Sequence, residues 1–143
     1  MSTVGAVVIG RNEGARLTRC LNSLLPQVSH IVYVDSGSQD DSVAFAQSVG
    51  AIVVQLDTAT PFTAARARNE GFEALMELAD FEFVQFIDGD CGVTAGWIAK
   101  ASAHLQNDPS LGLVTGWRSE IYPDNSIYNA LCDVEWHRPA GMI

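Results

Sequence analysis

Short apolar segments alternate along the chain with segments in which apolar residues recur at helical spacing. The first pair is VGAVVIG at residues 4–10, followed by residues 15–25, where leucines and a cysteine fall three or four positions apart before Pro26. A continuous apolar run of this length is typical of a strand buried on both faces, and the longer spacing is typical of an amphipathic helix. The beginning of the chain therefore predicts one strand followed by one helix.

The same alternation continues through most of the chain. Further strands are predicted at residues 30–35, 51–56, 81–88 and 111–117, and further helices within residues 36–50, at about 64–79 and after Thr94. Strands that alternate with helices imply a mostly parallel sheet with helices on both faces, joined by right-handed crossovers. The predicted fold class is thus an open α/β sandwich, formed as a single domain over residues 1–143 with a less regular tail after residues 122–126.

Two local details accompany these elements. Ser38 and Asp41 have the spacing of a capping box for the second helix. The long helix is expected to bury one face, formed by Phe72, Leu75, Met76 and Ala79.

Composition and charge narrow the class of ligand. The 143 residues are 48% hydrophobic, which is enough for a continuous core, and the formal net charge is −9. Nucleic acids are bound through basic surface, so this balance argues against a nucleic-acid partner. A phosphate ligand would need a divalent cation, because carboxylates that hold a metal turn an acidic site into one that attracts phosphate oxygens.

The cysteines and the length of the apolar runs indicate the cellular location of the protein. Three cysteines without a CxxC pair fit free thiols in a reducing environment, and no run is long enough to suggest a membrane span. The start of the chain also lacks the positive leader of a secretory signal. We therefore expect a cytoplasmic protein, which could work at the inner face of the membrane.

Polar, acidic, glycine-bearing segments follow three of the predicted strands. They are GRNEG at 10–14, DSGSQDD at 35–41 and DGDCG at 88–92. In open α/β sheets, ligands bind beyond the carboxyl ends of the strands, so these segments lie where a ligand is expected. The paired aspartates Asp88 and Asp90 have three interpretations: a metal site for a phosphorylated donor, a phosphoryl-transfer nucleophile with its partner acid, or a solvated turn.

Other nucleotide and hydrolase motifs are absent from the sequence. There is no GxGxxG after the first strand, no P-loop and no GxSxG elbow. A stronger alternative is a phosphatase, since FIDGDCGVT resembles the DxDx[TV] motif of haloacid-dehalogenase-like enzymes. Gly92 departs from that motif, and Lys100, the chain's one lysine, follows it too closely.

A second resemblance covers the whole chain. VVIGRNEGARLTRCLNSLL, IVYVDSGSQDDS, AARARNEGFEAL and FVQFIDGD resemble, in order and spacing, the nucleotide-sugar-binding half of family 2 glycosyltransferases of the GT-A fold. The resemblance implies metal-dependent transfer of a sugar from a nucleoside-diphosphate sugar to an acceptor, with inversion. It places Asp88 and Asp90 as the DxD acids that act with Mn²⁺ or Mg²⁺ on the diphosphate.

The same resemblance assigns the remaining donor-binding residues. Arg11 and Glu13 would lie by the nucleoside, Asp35 near the base, and Arg68 and Asn69 facing the donor. Many family members carry a second aspartate directly after the position of Asp35 and use it to read uracil, whereas this chain has Ser36. A serine offers no carboxylate, so GDP sugars and dTDP sugars remain possible donors in addition to UDP sugars.

The acceptor side is the least defined part of the sequence. Family members need an acceptor-binding segment after the donor half, and the chain looks truncated before it. Asp133 and Glu135 are the only acids late enough to serve as the general base, and the catalytic residue stays unassigned. The acceptor, a saccharide or a lipid-linked molecule, is unknown, and a non-catalytic nucleotide-sugar-binding module remains an alternative to a transferase.

Overall fold

The computed structural model describes residues 3–137, which form four strands and five helices. The chain divides into two compact units, one up to Ala103 and one from His104. In chain order the elements are β1 (Val4–Gly10), α1 (Ala15–Leu24), β2 (His30–Asp35), α2 (Ser42–Ser48), β3 (Ile52–Gln55), α3 (Ala64–Met76), β4 (Phe83–Asp88), α4 (Trp97–Asn107) and α5 (Ile127–Trp136).

The four strands form one parallel sheet in the order β3-β2-β1-β4. The register places Asp35 of β2 opposite Gly10 and Asp88 of β4 opposite Ile9, so three strand ends meet at one edge. The chain leaves β1 towards β2 on one side and returns to pair with β4 on the other. A crevice forms at such a reversal of strand order, and here it falls over the ends of β1 and β4. The predicted fold class is confirmed.

Both faces of the two central strands, β1 and β2, are buried, as their continuous apolar runs predicted, whereas β3 and β4 are only partly buried. Alternate residues of β1 and β2 point to opposite faces. Ala6, Val8 and Tyr33 belong to one core cluster with the buried residues of α1, and Val7 and Val34 belong to a second with those of α3. The strands therefore need apolar residues at nearly every position.

Helix α3 buries the predicted face only in part: Leu75 is buried and Met76 packs against the core, as predicted. Its buried residues are Ala67, Gly71 and Leu75, whereas Phe72 is 40% exposed and Ala79 lies beyond the end of the helix. A Cβ atom on Gly71 would come within 2.5 Å of Val7 and 2.7 Å of Val34. Helix α3 lies so close to the sheet that the residues facing the sheet must be small. A prediction based on large apolar residues does not detect such a face.

The prediction of a fifth strand was wrong. Residues 111–117 do not form a strand, and no strand is found between residues 104 and 137. Strand formation needs a neighbour that takes up the backbone hydrogen bonds, which propensity alone does not supply. The tail contains helix α5, whose first turn is capped by Ser126, since its Oγ accepts a hydrogen bond from Asn129 N at 3.1 Å.

The predicted capping box of α2 is not present either. Asp41 occupies the N-cap position without a side-chain cap, and Ser38 forms hydrogen bonds with other residues. Asp40 instead accepts a hydrogen bond from Ser42 N at 3.0 Å.

We expect Gly71→Ala to lower the free energy of unfolding by about 1–3 kcal/mol, because the added methyl group overpacks the contact with two β-branched side chains. This loss outweighs the gain in helix propensity, which is at most about 1 kcal/mol. Urea denaturation measures the change. Gly112→Ala is the control, because a Cβ there meets nothing within 4 Å. Equal stability of Gly71→Ala and the unsubstituted protein would contradict the close approach of α3 to the sheet.

Candidate functional site

An open cleft of about 290 Å³ lies over the ends of β1 and β4. Its walls come from the end of β1 and the loop after it, the loop after β2, the start of α3 and the loop after β4. The lining residues are Ile9, Gly10, Glu13, Ser36, Phe62, Thr63, Ala64, Ala67, Asp88 and Asp90. The cleft thus occupies the position that the strand order defines as a ligand crevice.

Asp88 and Asp90 are both exposed and line this cleft. Gly89 between them is buried, and its N–H donates a hydrogen bond to Ile9 O at 2.7 Å. A Cβ atom at Gly89 would lie 3.1 Å from that carbonyl oxygen, which is tighter than most Cβ contacts, so glycine suits this close approach. Asp88 Oδ1 accepts a hydrogen bond from Arg68 Nη2 at 2.8 Å, in an ion pair whose side chains are about half exposed.

Glu13 is the least exposed carboxylate in the cleft, with 18% of its side chain accessible. Arg16 Nη2 lies 3.0 Å from Glu13 Oε2, but the contact lacks hydrogen-bond geometry, and no described residue donates to that oxygen. Burial raises the pKa of Glu13, Arg16 opposes the rise, and the negative charges of Asp90, Asp40 and Asp88 add to it. Negative charge is therefore concentrated here beyond what the side chains nearby neutralise.

Backbone groups of the β1–α1 loop bind side chains of the β2–α2 loop. Asn12 N donates to Ser38 Oγ at 2.9 Å, and Gly14 N donates to Asp40 Oδ2 at 3.1 Å. In return, Asn12 Oδ1 accepts from Gln39 N at 2.7 Å. Asn12 has a φ angle of 52°, a left-handed conformation that asparagine tolerates better than most residues.

Asp35 is buried, with 3% of its surface accessible, and it does not line the cleft. Its Oδ1 accepts a hydrogen bond from Tyr33 OH at 2.8 Å and another from Ser38 Oγ. Its Oδ2 accepts from Gly37 N at 3.1 Å and from Ser38 N at 2.8 Å. Burial, together with the bond to Asp35, raises the pKa of Tyr33. The neighbouring Ser36 is half-buried and does face the cleft.

The structure brings together some of the residues singled out from the sequence. Glu13, Ser36, Asp88 and Asp90 share the cleft, and Arg68 reaches it through its ion pair with Asp88. The exposed Arg11 and Asn69 lie outside the residues that line it.

Sequence reasoning missed several residues that shape the site. Asn12, Ser38 and Asp40 carry the bonds between loops, and Phe62 and Thr63 form one wall of the cleft. Thr63 has a recognisable signal, since it precedes a helical segment and its Oγ1 accepts a hydrogen bond from Arg66 N at 3.0 Å, as an N-cap does.

The acidic groups fit a cation that arrives with a phosphate ligand. Residues 3–137 contain no cluster of three or more His, Cys, Asp or Glu side chains that could hold a metal ion. Mg²⁺ is typically bound through one or two carboxylates together with substrate phosphates, so a full protein cage is not needed. Asp88 and Asp90 supply two carboxylates, and the unsatisfied oxygen of Glu13 lies in the same cleft.

The unit from His104 contains both residues considered for the general base. Asp133 Oδ1 accepts a hydrogen bond from Glu120 N at 2.8 Å, and Glu135 is exposed on α5. No helix among residues 3–137 is long and apolar enough to cross a membrane.

The fold and the acidic cleft define an α/β protein with a candidate ligand site at the carboxyl ends of its parallel strands. The sequence profile described as Glycosyl transferase family 2 matches residues 6–141, and the chain belongs to that family. This membership decides against the phosphatase of the haloacid-dehalogenase type.

Sequence relatives support the same family. An uncharacterised glycosyltransferase of Rickettsia felis is 43% identical over 54 residues, which cover 38% of this chain and 19% of the relative. A TPR repeat-containing protein of Synechococcus elongatus is 39% identical over 90 residues, covering 63% of this chain and 21% of the relative. The chain thus spans about a fifth of the length of these curated relatives.

Solved structures share the fold. S. aureus TarS superposes with a TM-score of 0.56 at 26% identity, over 73% of this chain and 20% of that chain. Glucosyl-3-phosphoglycerate synthase from Mycobacterium tuberculosis, in complex with Mn²⁺, UDP and glucosyl-3-phosphoglycerate, gives 0.55 at 23% identity, over 73% of this chain and 39% of that chain. The latter likeness establishes the fold alone.

Glu13→Gln is expected to raise the free energy of unfolding at pH 7 in the absence of divalent cations. The pKa of folded Glu13 lies above its ordinary value of 4.5, so its ionised form opposes folding. This penalty develops as pH rises from about the ordinary pKa through the folded-state pKa. The gain should therefore vanish below about pH 4, where the carboxyl is protonated in both states.

Chemical denaturation at the two pH values measures this effect. Glu73→Gln, at an exposed position of α3, is the control and should stay within about 0.5 kcal/mol of the unsubstituted protein. A gain for Glu13→Gln that is equally large at pH 4 would show that the charge of Glu13 is not its cause.

Proposed function

We propose that residues 1–143 form the donor-binding part of a metal-dependent glycosyltransferase. The enzyme transfers a sugar from a nucleoside-diphosphate sugar to an acceptor, with inversion at the sugar carbon. The observation that carries this proposal is the acidic cleft over the ends of β1 and β4, which Glu13, Asp88 and Asp90 line in a chain of family 2.

Asp88 and Asp90 would hold the cation, Mn²⁺ or Mg²⁺, in this reaction. A bound divalent cation neutralises charge that develops on the departing diphosphate, which makes it a better leaving group. The chain's own residues bind and orient the donor. The cleft is acidic, so it accepts a diphosphate only together with a cation, and this explains how a chain with a net charge of −9 can use an anionic substrate.

The donor contacts are proposed for the residues around the cleft. Ser36 would face the base, Arg11 and Glu13 the nucleoside, and Arg68 and Asn69 the rest of the donor. Arg68 already lies beside Asp88, so it can balance negative charge on a phosphate held there. Asp35, the last residue of β2, directly precedes Ser36 but is buried.

The acceptor and the general base are open within this proposal. Asp133 is engaged by a backbone N–H, whereas Glu135 is exposed, and either could serve as the base that deprotonates the acceptor hydroxyl. The acceptor is proposed to be a saccharide or a lipid-linked molecule. The reduced thiols of Cys20, Cys91 and Cys132 are compatible with the predicted cytoplasmic location, which could be at the inner face of the membrane.

Mn²⁺ together with UDP or GDP is expected to raise the melting temperature by roughly 5 °C or more at saturation, because a ligand that binds only the folded state stabilises it. Asp90→Ala should abolish this shift. Asp80→Ala is the matched control, since Asp80 precedes β4 at the opposite end of that strand and should keep the full shift. Thermal denaturation with and without Mn²⁺ and the nucleotide measures the shift. If Asp90→Ala shows the full shift, Asp90 does not belong to the cation site.

Ser36→Asp is expected to move nucleotide preference towards UDP. A hydrogen bond to a charged partner contributes roughly 1.5–3 kcal/mol, which corresponds to a change of about ten- to a hundredfold in relative affinity. Calorimetric titration with UDP and GDP in Mn²⁺ gives the ratio. Ser36→Asn, which has a similar shape without the charge, is the control. If Ser36→Asp keeps the original ratio, Ser36 does not face the base.

A further inference from the structure

The carboxylate of Asp35 is fully occupied by groups of its own chain. A carboxylate has about four acceptor sites, and the four donors around Asp35 are Tyr33 OH, Gly37 N, Ser38 N and Ser38 Oγ. The residue is 3% exposed, and Tyr33 beside it is completely buried. A ligand could bond to this carboxylate only by displacing one of these donors at a site that is almost closed to water.

The hydrogen bonds continue from Asp35 to the neighbouring loop. Ser38 Oγ donates to Asp35 and at the same time accepts from Asn12 N at 2.9 Å. Asn12 lies between Arg11 and Glu13, and its left-handed φ of 52° depends on partners that hold it there. Asp35 therefore reaches the β1–α1 loop through a single hydroxyl group.

We propose that Asp35 is a positioning residue: it orients Ser38, which holds Asn12 and so places Glu13 in the cleft beside Asp88 and Asp90. This role differs from the donor-binding role near the base that the family resemblance implies for Asp35. Base recognition in this loop then belongs to Ser36, which lines the cleft, whereas Asp35 does not. We call the series of hydrogen bonds from Asp35 through Ser38 to Asn12 the clasp. The effect of the clasp on donor binding rests on the proposed function, but the existence of the clasp does not.

The charge of Asp35 suits this role. Two backbone N–H groups and two hydroxyl groups point at one buried carboxylate, and hydrogen bonds to an ionised acceptor are about twice as strong as neutral ones. Removing the carboxylate leaves these donors unsatisfied in the interior, which frees Ser38 to rotate. Once Ser38 rotates, Asn12 N loses its hydrogen-bond acceptor, although Asp35 and Asn12 share no hydrogen bond of their own.

Amide hydrogen exchange in the ligand-free protein tests the clasp. In Asp35→Ala we expect the Asn12 amide to exchange about tenfold faster or more, measured relative to the Leu21 amide within α1 so that global destabilisation is removed. Ser38→Ala, which deletes the acceptor itself, should give the same change. Ser36→Ala should leave the Asn12 amide within about twofold of its original rate.

A conservative variant separates position from charge. In Asp35→Asn the amide oxygen can accept from Gly37 N and Ser38 N, and the amide nitrogen can donate to Ser38 Oγ. Protection of the Asn12 amide should therefore return in Asp35→Asn. This variant, with Ser38→Ala, keeps the test decisive if Asp35→Ala does not fold.

Calorimetry with two ligands tests the consequence for the cleft. Mn²⁺ with UDP and Mn²⁺ with pyrophosphate differ in the nucleoside, so a residue that reads the base affects UDP alone. Asp35→Ala is expected to weaken both ligands, each about fivefold or more, because the misplaced loop carries Glu13, which shares the cleft with the proposed cation ligands Asp88 and Asp90. Ser36→Ala should weaken UDP alone.

Two outcomes overturn the proposal: a protected Asn12 amide in Asp35→Ala or in Ser38→Ala, or a loss of affinity in Asp35→Ala confined to UDP. The proposed function fails in a different way, through absence of binding by the unsubstituted protein to UDP and pyrophosphate with Mn²⁺. In that case the exchange rates in the ligand-free protein still decide whether Asp35 holds the loop.

Discussion

The parallel pairing of β1 with β2 on one edge and β4 on the other is the constraint on which the site depends. It fixes the ends of three strands at one edge of the sheet, so that residues 10–14, 35–41 and 88–90 meet although they are far apart in sequence. The 2.7 Å hydrogen bond from Gly89 N to Ile9 O extends this pairing one step beyond the strand. Asp88 and Asp90 are thereby held against the end of β1.

The cost of this arrangement is electrostatic. Glu13, Asp88 and Asp90 share a cleft in which Arg16 and Arg68 each face one carboxylate. The pKa of Glu13 is raised, with burial as the largest cause, and the excess of negative charge in the cleft contributes to the rise. Holding these carboxylates together lowers the stability of the ligand-free protein. Such a loss is common at functional sites, and here the site suits a cation and its phosphate ligand.

Elements with a strong local pattern could be predicted from the sequence, and elements that depend on partners could not. Helix α1 repeats its apolar residues at regular spacing, and β1 is apolar throughout, so both were found. The segment 111–117 has the composition of a strand but lacks a neighbour to pair with among residues 104–137. The buried face of α3 was predicted only in part: Leu75 is buried as expected, whereas Gly71 faces the sheet through its lack of a side chain.

By itself, the sequence determined the α/β class, the strand ends and the acidic residues that follow them, because these depend on local periodicity and on the topology rules for parallel sheets. Only the tertiary structure decided which of those residues share the cleft. Asp35 and Ser36 are neighbours in sequence, yet one is buried under four hydrogen bonds and the other faces the cleft. Side chains alternate along an extended segment, and the donors that surround a carboxylate come from the folded loops around it.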